Sequence, residues 1–244
     1  MTLFNSPISN EKADRIINLF GISSNNRVLD AGCGRGEFLI RVIEATGAYG
    51  LGIDIDSECT AAASTFAAER VPEDAYEFRV ANIQEEPLEA GSFDMAMCIG
   101  STHAFGTGDA GYPNTLQSLS RLVRPGGHLL IGEGYWKQPP ALEYLQLIGE
   151  PVGIYRDHAA NISFAEDHDF IAVYAACSNE DEWDHFEWSH RMKIERQAAE
   201  HPDDPTLTAK LKRSRQWRDG YLRWGRSTMG FGFYLFMKPA DPTR

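Results

Sequence analysis

The stretch Leu29–Phe38, LDAGCGRGEF, decides the fold of this chain. It follows a short apolar run and places glycines at positions 32, 34 and 36. Glycine accepts backbone conformations that other residues avoid, and glycines after the first strand of a doubly wound sheet let a ligand approach the main chain closely. Leu29–Phe38 is therefore predicted to join a strand to a helix, with a ligand bound against the connecting turn.

Outward from this turn, short strand-like runs alternate with helical patterns. The strand-like runs are RVLDA, YGLGID, YEFRVA, FDMAMCIG, HLLIG, HDFIAVYAAC and MGFGFYLFM. Alternation of this kind is typical of a parallel sheet with helices between its strands. We expect an α/β fold with a doubly wound, mainly parallel seven-stranded sheet, helices on both faces and a helical insertion before the last strand.

The composition indicates a soluble globular protein. The 244 residues carry a formal net charge of −12, which disfavours broad contact with phosphate backbones or anionic membranes. The four cysteines form no Cys-x-x-Cys pair, so no metal site is predicted. The start of the chain lacks a basic region followed by a long apolar core, and its longest apolar run is too short to span a membrane. We expect a cytoplasmic protein that binds neither DNA nor membranes.

Acidic residues near the glycines indicate the kind of ligand. The glycine spacing departs from the G-x-G-x-x-G pattern of dinucleotide sites, and Asp30 stands just before the first glycine. A carboxylate this close favours a ligand with a cationic amine over a diphosphate, because it stabilises an ammonium group. S-adenosylmethionine (SAM) is such a ligand. Asp54, at the end of the second strand, is placed to accept hydrogen bonds from both ribose hydroxyls, with Asp56 as the neighbouring alternative.

Five ordered motifs make the sequence resemble a class I SAM-dependent methyltransferase. They are VLDAGCGRG, GIDID, VANI, SFDMAMCIGS and LVRPGGHLLIGE, within roughly residues 25 to 135. The resemblance implies a Rossmann-like fold, SAM as cofactor, S-adenosylhomocysteine as product and methyl transfer as the activity. The run GEGYW at Gly132–Trp136 is also similar to an uncharacterised bacterial subgroup with a Gly-Glu-x-Tyr-Trp signature after the fifth strand, a similarity that names no substrate.

The resemblance also implies roles for single residues. Asp30 matches the acid that helps hold the methionine amino group, and Asp54 matches the acid that binds the ribose. Asn82 stands where many relatives have an acid beside the adenine, and Ile83 offers an apolar contact. The complete set of expected cofactor contacts is Asp30, Gly32, Cys33, Gly34, Gly36, Asp54, Ile55, Asn82, Ile83 and Ile99.

The acceptor side of the predicted site carries weaker signals. Methyl transfer is an in-line displacement in which alignment and exclusion of water do much of the work, so only some acceptors need a general base. His103, beyond the fourth strand, can take a proton near neutral pH, and Glu133, after the fifth strand, can orient an amine or a hydroxyl. Each of these two can instead serve packing or be solvated. The expected substrate pocket comprises Ser101, His103, Glu133, Tyr135 and Trp136, the last two as aromatic walls or as local packing.

A helical insertion is predicted at residues 179–226. Its first helix, with NEDEWDHFEW, is acidic and aromatic; its second is basic and carries Trp217, Tyr221 and Trp224 at helical spacing, and HPDDP separates the two. Opposite charges on adjacent helices most simply indicate solvated faces, and the aromatic stripe indicates core packing. The alternative is a lid whose aromatic residues close over the acceptor and whose arginines receive an anionic group.

The predicted parts form one domain over residues 1–244. An N-terminal helix is expected within 1–24, where Ser9 or Asn10 can cap it and Gly21 can end it. A cofactor-binding core is expected at 25–178, the insertion at 179–226, and the last strand with its tail at 227–244.

The sequence favours a methyltransferase that acts on a small molecule. It lacks the Asn/Asp-Pro-Pro-Tyr signature of enzymes that methylate exocyclic base amines, and none of its cysteines follows a proline. The alternatives are a protein or RNA methyltransferase that docks its substrate on the insertion, a non-catalytic SAM-binding module and an NAD-dependent reductase. The acceptor, the atom methylated and the oligomeric state are left open.

Overall fold

A computed structural model of the protein describes residues 3–240. The ends of the predicted N-terminal segment and tail, residues 1–2 and 241–244, lie outside the described residues. The strands are β1 Arg27–Ala31, β2 Tyr49–Asp54, β3 Tyr76–Val80, β4 Phe93–Ile99, β5 Val123–Trp136, β6 Ile171–Cys177 and β7 Met229–Met237. Within residues 3–240 no helix is long and apolar enough to cross a membrane.

These strands form one sheet in the order β3-β2-β1-β4-β5-β7-β6. The first five strands are parallel, and β7 runs antiparallel to both β5 and β6. The strand order reverses between β1 and β4, so the connections that leave these two strands diverge and open a crevice at their carboxyl ends. The predicted α/β class and the mainly parallel seven-stranded sheet are confirmed.

Helices cover both faces of the sheet. They are α1 Asn10–Ile17, α2 Glu37–Thr46, α3 Ser57–Ala68, α4 Gly111–Leu122, α5 Leu142–Ile148, α6 His158–Glu166, α7 Glu180–Glu200 and α8 Pro205–Gly220. A π-helical turn at Tyr221–Gly225 and the short helix α9 Arg226–Thr228 lead from α8 into β7. Single 3₁₀ turns occur at Glu73–Ala75, Thr102–Ala104, Gly108–Ala110 and Val152–Ile154.

The core consists of two apolar layers, one on each face of the sheet. Ile16 of α1 and Leu39 of α2 belong to one layer, which Trp183 of α7 also joins. Leu116 of α4 and Ala165 of α6 belong to the other. Because the amphipathic helices fill both faces, ligands can enter only at the ends of the strands.

Two helices between β5 and β6 have no counterpart in the sequence prediction. α5 ends at Gly149, whose φ is 74°, and α6 begins after Asp157, whose carboxylate accepts a hydrogen bond from the backbone N–H of Ala160 at 2.7 Å. A glycine after a helix and an aspartate before one are recognisable boundary signals. Both helices are short, at 7 and 9 residues, which leaves little room for a periodic apolar pattern.

The insertion is tied to the N-terminal helix by a buried ion pair between Lys12 and Glu182, each 7% exposed. The Glu182 carboxylate also accepts hydrogen bonds from the backbone N–H and the hydroxyl of Ser9, at 3.0 and 2.7 Å, and from the N–H of Asn179 at 2.8 Å. Burial works to raise the pKa of Glu182, but these partners, Lys12 foremost, lower it below its ordinary value. We call Ser9, Lys12 and Glu182 the latch; it joins the starts of α1 and α7.

Candidate active site

The turn after β1 has a shape that glycine accepts most easily. Gly32, Gly34 and Gly36 all have positive φ, at 77°, 53° and 75°. A β carbon on Gly32 would lie 2.3 Å from Cβ of Ser101, and one on Gly36 would lie 2.7 Å from the ring of Phe78. At Gly34 no described atom lies within 4 Å of that position. Gly32 and Gly36 thus permit close packing, while Gly34 faces open space beside the turn.

Asp30 is a buried acid with no partner among the described residues. It lies in β1 and is 3% exposed, and burial, with the nearby charge of Asp54 as a second cause, raises its pKa to about 7. Within residues 3–240 no side chain or backbone N–H donates a hydrogen bond to its carboxylate. Burying such a group without compensation is unfavourable. A ligand ammonium placed beside Asp30 would supply the missing charge and donors.

Asp54 and Asp56, the two acids considered for the ribose, have different roles. Asp54 accepts hydrogen bonds from the backbone N–H groups of Gly34 and Asp56, at 2.7 and 2.9 Å, so its carboxylate is fixed against the glycine turn. Asp56 caps α3, because its carboxylate accepts from the N–H groups of Glu58 and Cys59. Those two bonds lower the pKa of Asp56. Asp54 is therefore the acid available to a ligand.

A cleft of ≈ 300 Å³ opens beside this turn, at the carboxyl ends of the strands. Seven residues predicted for the cofactor or substrate site line it: Gly32, Asp54, Ile55, Asn82, Ile83, Ser101 and His103. Asn82 also shapes its own turn, since its side chain accepts from the N–H of Gln84 at 3.1 Å and donates to Glu85 at 2.9 Å. Ile55 is 76% exposed and free to contact a ligand ring.

Five predicted cofactor residues are absent from the described lining of the cleft: Asp30, Cys33, Gly34, Gly36 and Ile99. Cys33 turns its sulfur toward Gly52, and burial raises the pKa of its thiol. Gly36 packs under Phe78, as described. Ile99 packs against Gly132 of β5, because the two parallel strands bring them side by side. A contact between Ile99 and the cofactor stays a prediction.

A second cavity of ≈ 390 Å³ adjoins the cleft, and His103 lines both. Its walls come from residues 5–7, the segment after β4, the end of β5, α5, α7, α8 and the start of β7. His103 belongs to the 3₁₀ turn Thr102–Ala104 and has an exposed side chain. The sheet therefore presents two adjoining spaces, one beside the glycine turn and one beneath the insertion.

Glu133 lies in the wall of this cavity and is 7% exposed. Burial raises its pKa to about 7, against the opposing effects of a hydrogen bond from Thr102, one from the backbone N–H of Gly134 at 2.9 Å, and the charge of Arg156. A carboxyl group with a pKa near 7 exchanges a proton readily at neutral pH. The structure places Glu133 in the cavity wall, and its role beside an acceptor stays a prediction.

Tyr135 and Trp136, predicted as pocket walls, are absent from the described lining of both spaces. They belong to β5, which is longer than the predicted HLLIG and pairs with β7 as far as Trp136 and Met229. The ring of Tyr135 covers Gly230, and the indole N–H of Trp136 donates to the backbone carbonyl of Val152 at 3.2 Å. Local packing, the simpler prediction, describes both residues.

Ser101, expected in the substrate pocket, lines the cleft beside the glycine turn. Its hydroxyl donates to the carbonyl of Gly32 at 3.2 Å. Tyr144 and Tyr155 supply aromatic walls of the cavity where Tyr135 and Trp136 were expected. They come from the segment between β5 and β6, to which the sequence analysis assigned no function.

The insertion contributes aromatic and acidic side chains to the cavity. Trp183, Phe186 and Glu187 of α7 line it, together with Trp217 of α8. The indole N–H of Trp217 donates to Glu187 at 2.8 Å, and burial raises the pKa of that carboxyl in spite of this bond. Sequence analysis noted the acidic and aromatic character of this helix but not the i, i+3, i+4 spacing that puts these three α7 residues on one face.

The arginines of the insertion point elsewhere. Arg226 pairs with Glu180 and Asp184 of α7, at 3.0 and 3.1 Å, and Arg215 pairs with Glu195 at 2.9 Å. In the part of the chain that the structure describes, no lysine or arginine lines the cavity. Binding of an anionic group by these arginines therefore has no support in the described lining, whereas aromatic residues of the insertion do line the cavity; a lid stays a prediction. Residues 3–240 hold no group of three or more His, Cys, Asp or Glu side chains placed to bind a metal.

The chain is similar to known proteins in both sequence and structure. The profile of the family described as "Methyltransferase domain" matches residues 28–127. The uncharacterized protein YjhP of Escherichia coli (strain K12) is 26% identical over 237 residues, 95% of this chain and 92% of YjhP. The X-ray structure of YjhP matches with a TM-score of 0.83 over 96% of this chain and 95% of that one.

Two further relatives carry named activities. A SAM-dependent methyltransferase from Geobacter sulfurreducens, solved in complex with S-adenosyl-L-homocysteine, is 25% identical, with a TM-score of 0.86 over 96% of this chain and 93% of that one. The 27-O-demethylrifamycin SV methyltransferase of Amycolatopsis mediterranei (strain S699) is 29% identical over 128 residues. That match spans 52% of this chain and 46% of the rifamycin enzyme.

Proposed function

We infer that this chain, whose residues 28–127 match the methyltransferase domain family, is a SAM-dependent methyltransferase that transfers the methyl group of SAM to a small-molecule acceptor. The observation that carries the proposal is the meeting of the cleft and the cavity at His103. A transferase needs one place for the donor and one for the acceptor, open to each other where the reacting atoms meet. The volume of the cavity, ≈ 390 Å³, is in the range of sites that enclose small molecules.

The residues that line the cleft, together with the buried Asp30 of β1, fit the parts of SAM. Asp30 suits the ammonium of the methionine portion, because its buried carboxylate lacks a cation among the described residues. Asp54, fixed by Gly34 and Asp56, offers its remaining lone pairs to the ribose hydroxyls. Asn82 and Ile83 line the end of the cleft suited to the adenine.

SAM supplies a methyl group bonded to a positively charged sulfur. The protein contributes alignment: the glycine turn and Asp54 fix the donor side, and the aromatic walls fix the acceptor and exclude water. Where the acceptor must lose a proton, Glu133 is the base best placed in the cavity wall, with His103 at the junction as the second.

The enclosure of the cavity supports a metabolite over a macromolecule. The insertion helices cover the acceptor space, and the arginines Arg215 and Arg226 pair with acids of α7, so they do not form a free basic surface for RNA. A cytoplasmic location also belongs to the proposal, supported by four cysteines that are all unpaired within the described chain. The GEGYW run is proposed as a subgroup signature because it supplies Glu133 to the cavity and seats Trp136.

The test uses methyl-labelled SAM with the full-length protein in a cell extract, separated by size into metabolite, protein and nucleic-acid fractions. We expect enzyme-dependent label in the metabolite fraction. The Asp54→Ala variant serves as the control with impaired donor binding. Label in protein or RNA, or no label while SAM binding is demonstrated by calorimetry, would refute the small-molecule assignment.

A further inference from the structure

The acidic side chains that line the acceptor cavity give it a negative charge. Glu133, Glu150 and Glu187 line it, and His103 is the only basic residue among its described lining. Carboxylates that line one cavity without lysine or arginine create a negative potential, which low-dielectric walls strengthen. An anionic acceptor would meet repulsion in this space, and a cationic one would be attracted.

Two of these carboxylates have few partners: Glu133 is buried and Glu187 is half-buried. Glu133 is 7% exposed, and its hydrogen-bond partners are the neutral Thr102 and the backbone N–H of Gly134. The charge of Arg156, which is outside the described lining of the cavity, offsets only part of the effect of burial. Glu187 accepts one hydrogen bond, from Trp217 to Oε2, and no described residue donates to its Oε1. A buried carboxylate is unfavourable unless a cation or sufficient donors satisfy it. Both groups thus have unused capacity to accept hydrogen bonds from a bound molecule.

Aromatic side chains surround the acidic groups. Tyr144, Tyr155, Trp183, Trp217 and Tyr221 line the same cavity. The faces of aromatic rings attract cations, by about 0.5–1 kcal/mol at exposed sites and about 2 kcal/mol where water is excluded. Carboxylates among aromatic faces form an environment that prefers an ammonium group to a neutral or anionic group of the same size.

We propose that the methyl acceptor is an amine, bound between the carboxylates of Glu133 and Glu187 and the aromatic walls, and methylated on its nitrogen. The proposal rests on the proposed function, which supplies the donor, and it adds the chemical class of the acceptor. Glu133 and Glu187 belong to different elements. Glu133 lies within β5 and accepts a hydrogen bond from Thr102, the neighbour of His103 at the junction with the cleft, whereas Glu187 lies on α7 of the insertion. Glu133 is therefore assigned to the reacting nitrogen and Glu187 to the electrostatic attraction that draws the amine in.

The proposed step balances in atoms and charge. The ammonium form of the acceptor first gives a proton to the Glu133 carboxylate, which frees the nitrogen lone pair. That pair forms a bond to the methyl carbon of SAM while the carbon–sulfur bond breaks and its electrons stay on sulfur, giving neutral S-adenosylhomocysteine. The methylated nitrogen carries the positive charge, and the proton on Glu133 leaves to solvent. Near neutrality a carboxyl with a pKa of about 7 suits both uptake and release of this proton.

The binding test compares three series of compounds with one phenyl ring and a chain of one to four carbons that ends in an amine, a hydroxyl or a carboxylate. Calorimetry is done on the full-length protein saturated with S-adenosylhomocysteine. We expect at least one amine to bind ten or more times more tightly than its hydroxyl and carboxylate counterparts. Glu187→Gln should reduce that affinity at least tenfold, while Glu143→Gln, which changes an exposed glutamate on α5 outside the cavity, should leave it within twofold.

The transfer test uses the same compounds with methyl-labelled SAM and separates failure of this inference from failure of the proposed function. Label on an amine, lost in Glu133→Gln while S-adenosylhomocysteine still binds, supports the inference. Label on a hydroxyl or carboxylate compound but on no amine overturns the inference alone. No label on any compound or in any extract fraction, with SAM bound, overturns the proposed function and the inference with it. An amine affinity that matches the hydroxyl series, or that Glu187→Gln leaves unchanged, also overturns the inference.

Discussion

The cleft and the cavity share His103, yet the chain builds them in different ways. The cleft takes its residues from the ends of β1 to β4, within positions 32–104, and backbone turns hold it. The cavity takes its residues from positions 5 to 231, and side chains form most of its walls. A site made of consecutive strand ends has a compact sequence pattern, whereas a site made of distant side chains has none. The following predictions test this difference, from the largest expected effect to the smallest.

Breaking the latch should damage the cavity side and spare the cleft. Lys12→Met leaves Glu182 buried without its cation, and loss of one partner of a buried pair costs about 3–5 kcal/mol. Urea unfolding should show that loss, while calorimetry on the folded fraction should show S-adenosylhomocysteine affinity within twofold of wild type. The double variant Lys12→Met, Glu182→Gln should recover part of the stability. A cofactor affinity that falls with the latch would show that the two regions are not separate.

The pH dependence of the unfolding free energy should reveal how much the burial of Glu133 destabilises the folded state. The folded state raises the pKa of Glu133 from 4.5 to about 7, so the unfolded chain loses this proton first as pH rises. The contribution of Glu133 to the unfolding free energy is therefore greatest below pH 4.5, falls between about pH 4.5 and 7, and stays low above pH 7. Relative to wild type, Glu133→Gln should gain about 2–3 kcal/mol of unfolding free energy between pH 5 and pH 8. A difference that does not change with pH would contradict the assignment. Asp30, whose pKa is raised in the same direction, stays in both proteins and cancels.

In the cleft, a single methyl group on the turn should be harmful. Gly32→Ala places a β carbon 2.3 Å from Cβ of Ser101, and overpacking of this kind costs about 1–3 kcal/mol in addition to the strain of a positive φ. We expect lower unfolding free energy and at least a tenfold loss of S-adenosylhomocysteine affinity by calorimetry. Gly21→Ala is the matched control, because its φ is 63° and no described atom lies within 4 Å of the new methyl. If both variants bind alike, the contact with Ser101 does not shape the turn.

The two neighbouring acids of the cleft should respond differently. Asp54→Ala should weaken SAM binding about tenfold to a hundredfold, through loss of charge-assisted hydrogen bonds to the ribose and of the bond that fixes Gly34. Asp56→Ala removes the cap of α3, so it should lower the unfolding free energy by about 1 kcal/mol and leave SAM affinity within twofold. The reverse pattern would show that the ribose acid is misassigned.

The cleft side of the molecule could be predicted closely from sequence. The Rossmann-like methyltransferase fold that the five motifs implied is confirmed, and the structure places Asp30 and Asp54 around the glycine turn, because each motif follows its own strand. Five of the ten predicted cofactor contacts are absent from the described lining of the cleft: Asp30, Cys33, Gly34, Gly36 and Ile99. Cys33 lies toward Gly52 and Ile99 packs against Gly132, and local sequence does not reveal such contacts between different strands. The order of the motifs predicts which residues lie close together, because the carboxyl ends of parallel strands lie at one edge of the sheet.

The cavity could be predicted only in part. Glu133 was found because it follows a recognisable strand. Tyr135 and Trp136 were misplaced, because the antiparallel pairing with β7, contributed by residues almost 100 positions later, extends β5 through both of them. Glu187 and Tyr144 could not be assigned to the cavity at all. Their position in its lining depends on where α7 and α5 pack, and that is a property of tertiary structure rather than of local pattern.

The latch also has a consequence for how the chain assembles over time. Strands β1 to β4, with the turns that form the cleft, leave the ribosome within the first half of the chain, and each contacts a partner close in sequence. Ser9 and Lys12 contact Glu182, which lies some 170 positions later in the chain. Contacts of such separation form late and slowly, because the loop they close is long. During synthesis α1 therefore remains without its buried ion pair until the insertion emerges, and the acceptor cavity is the last part of the molecule to close.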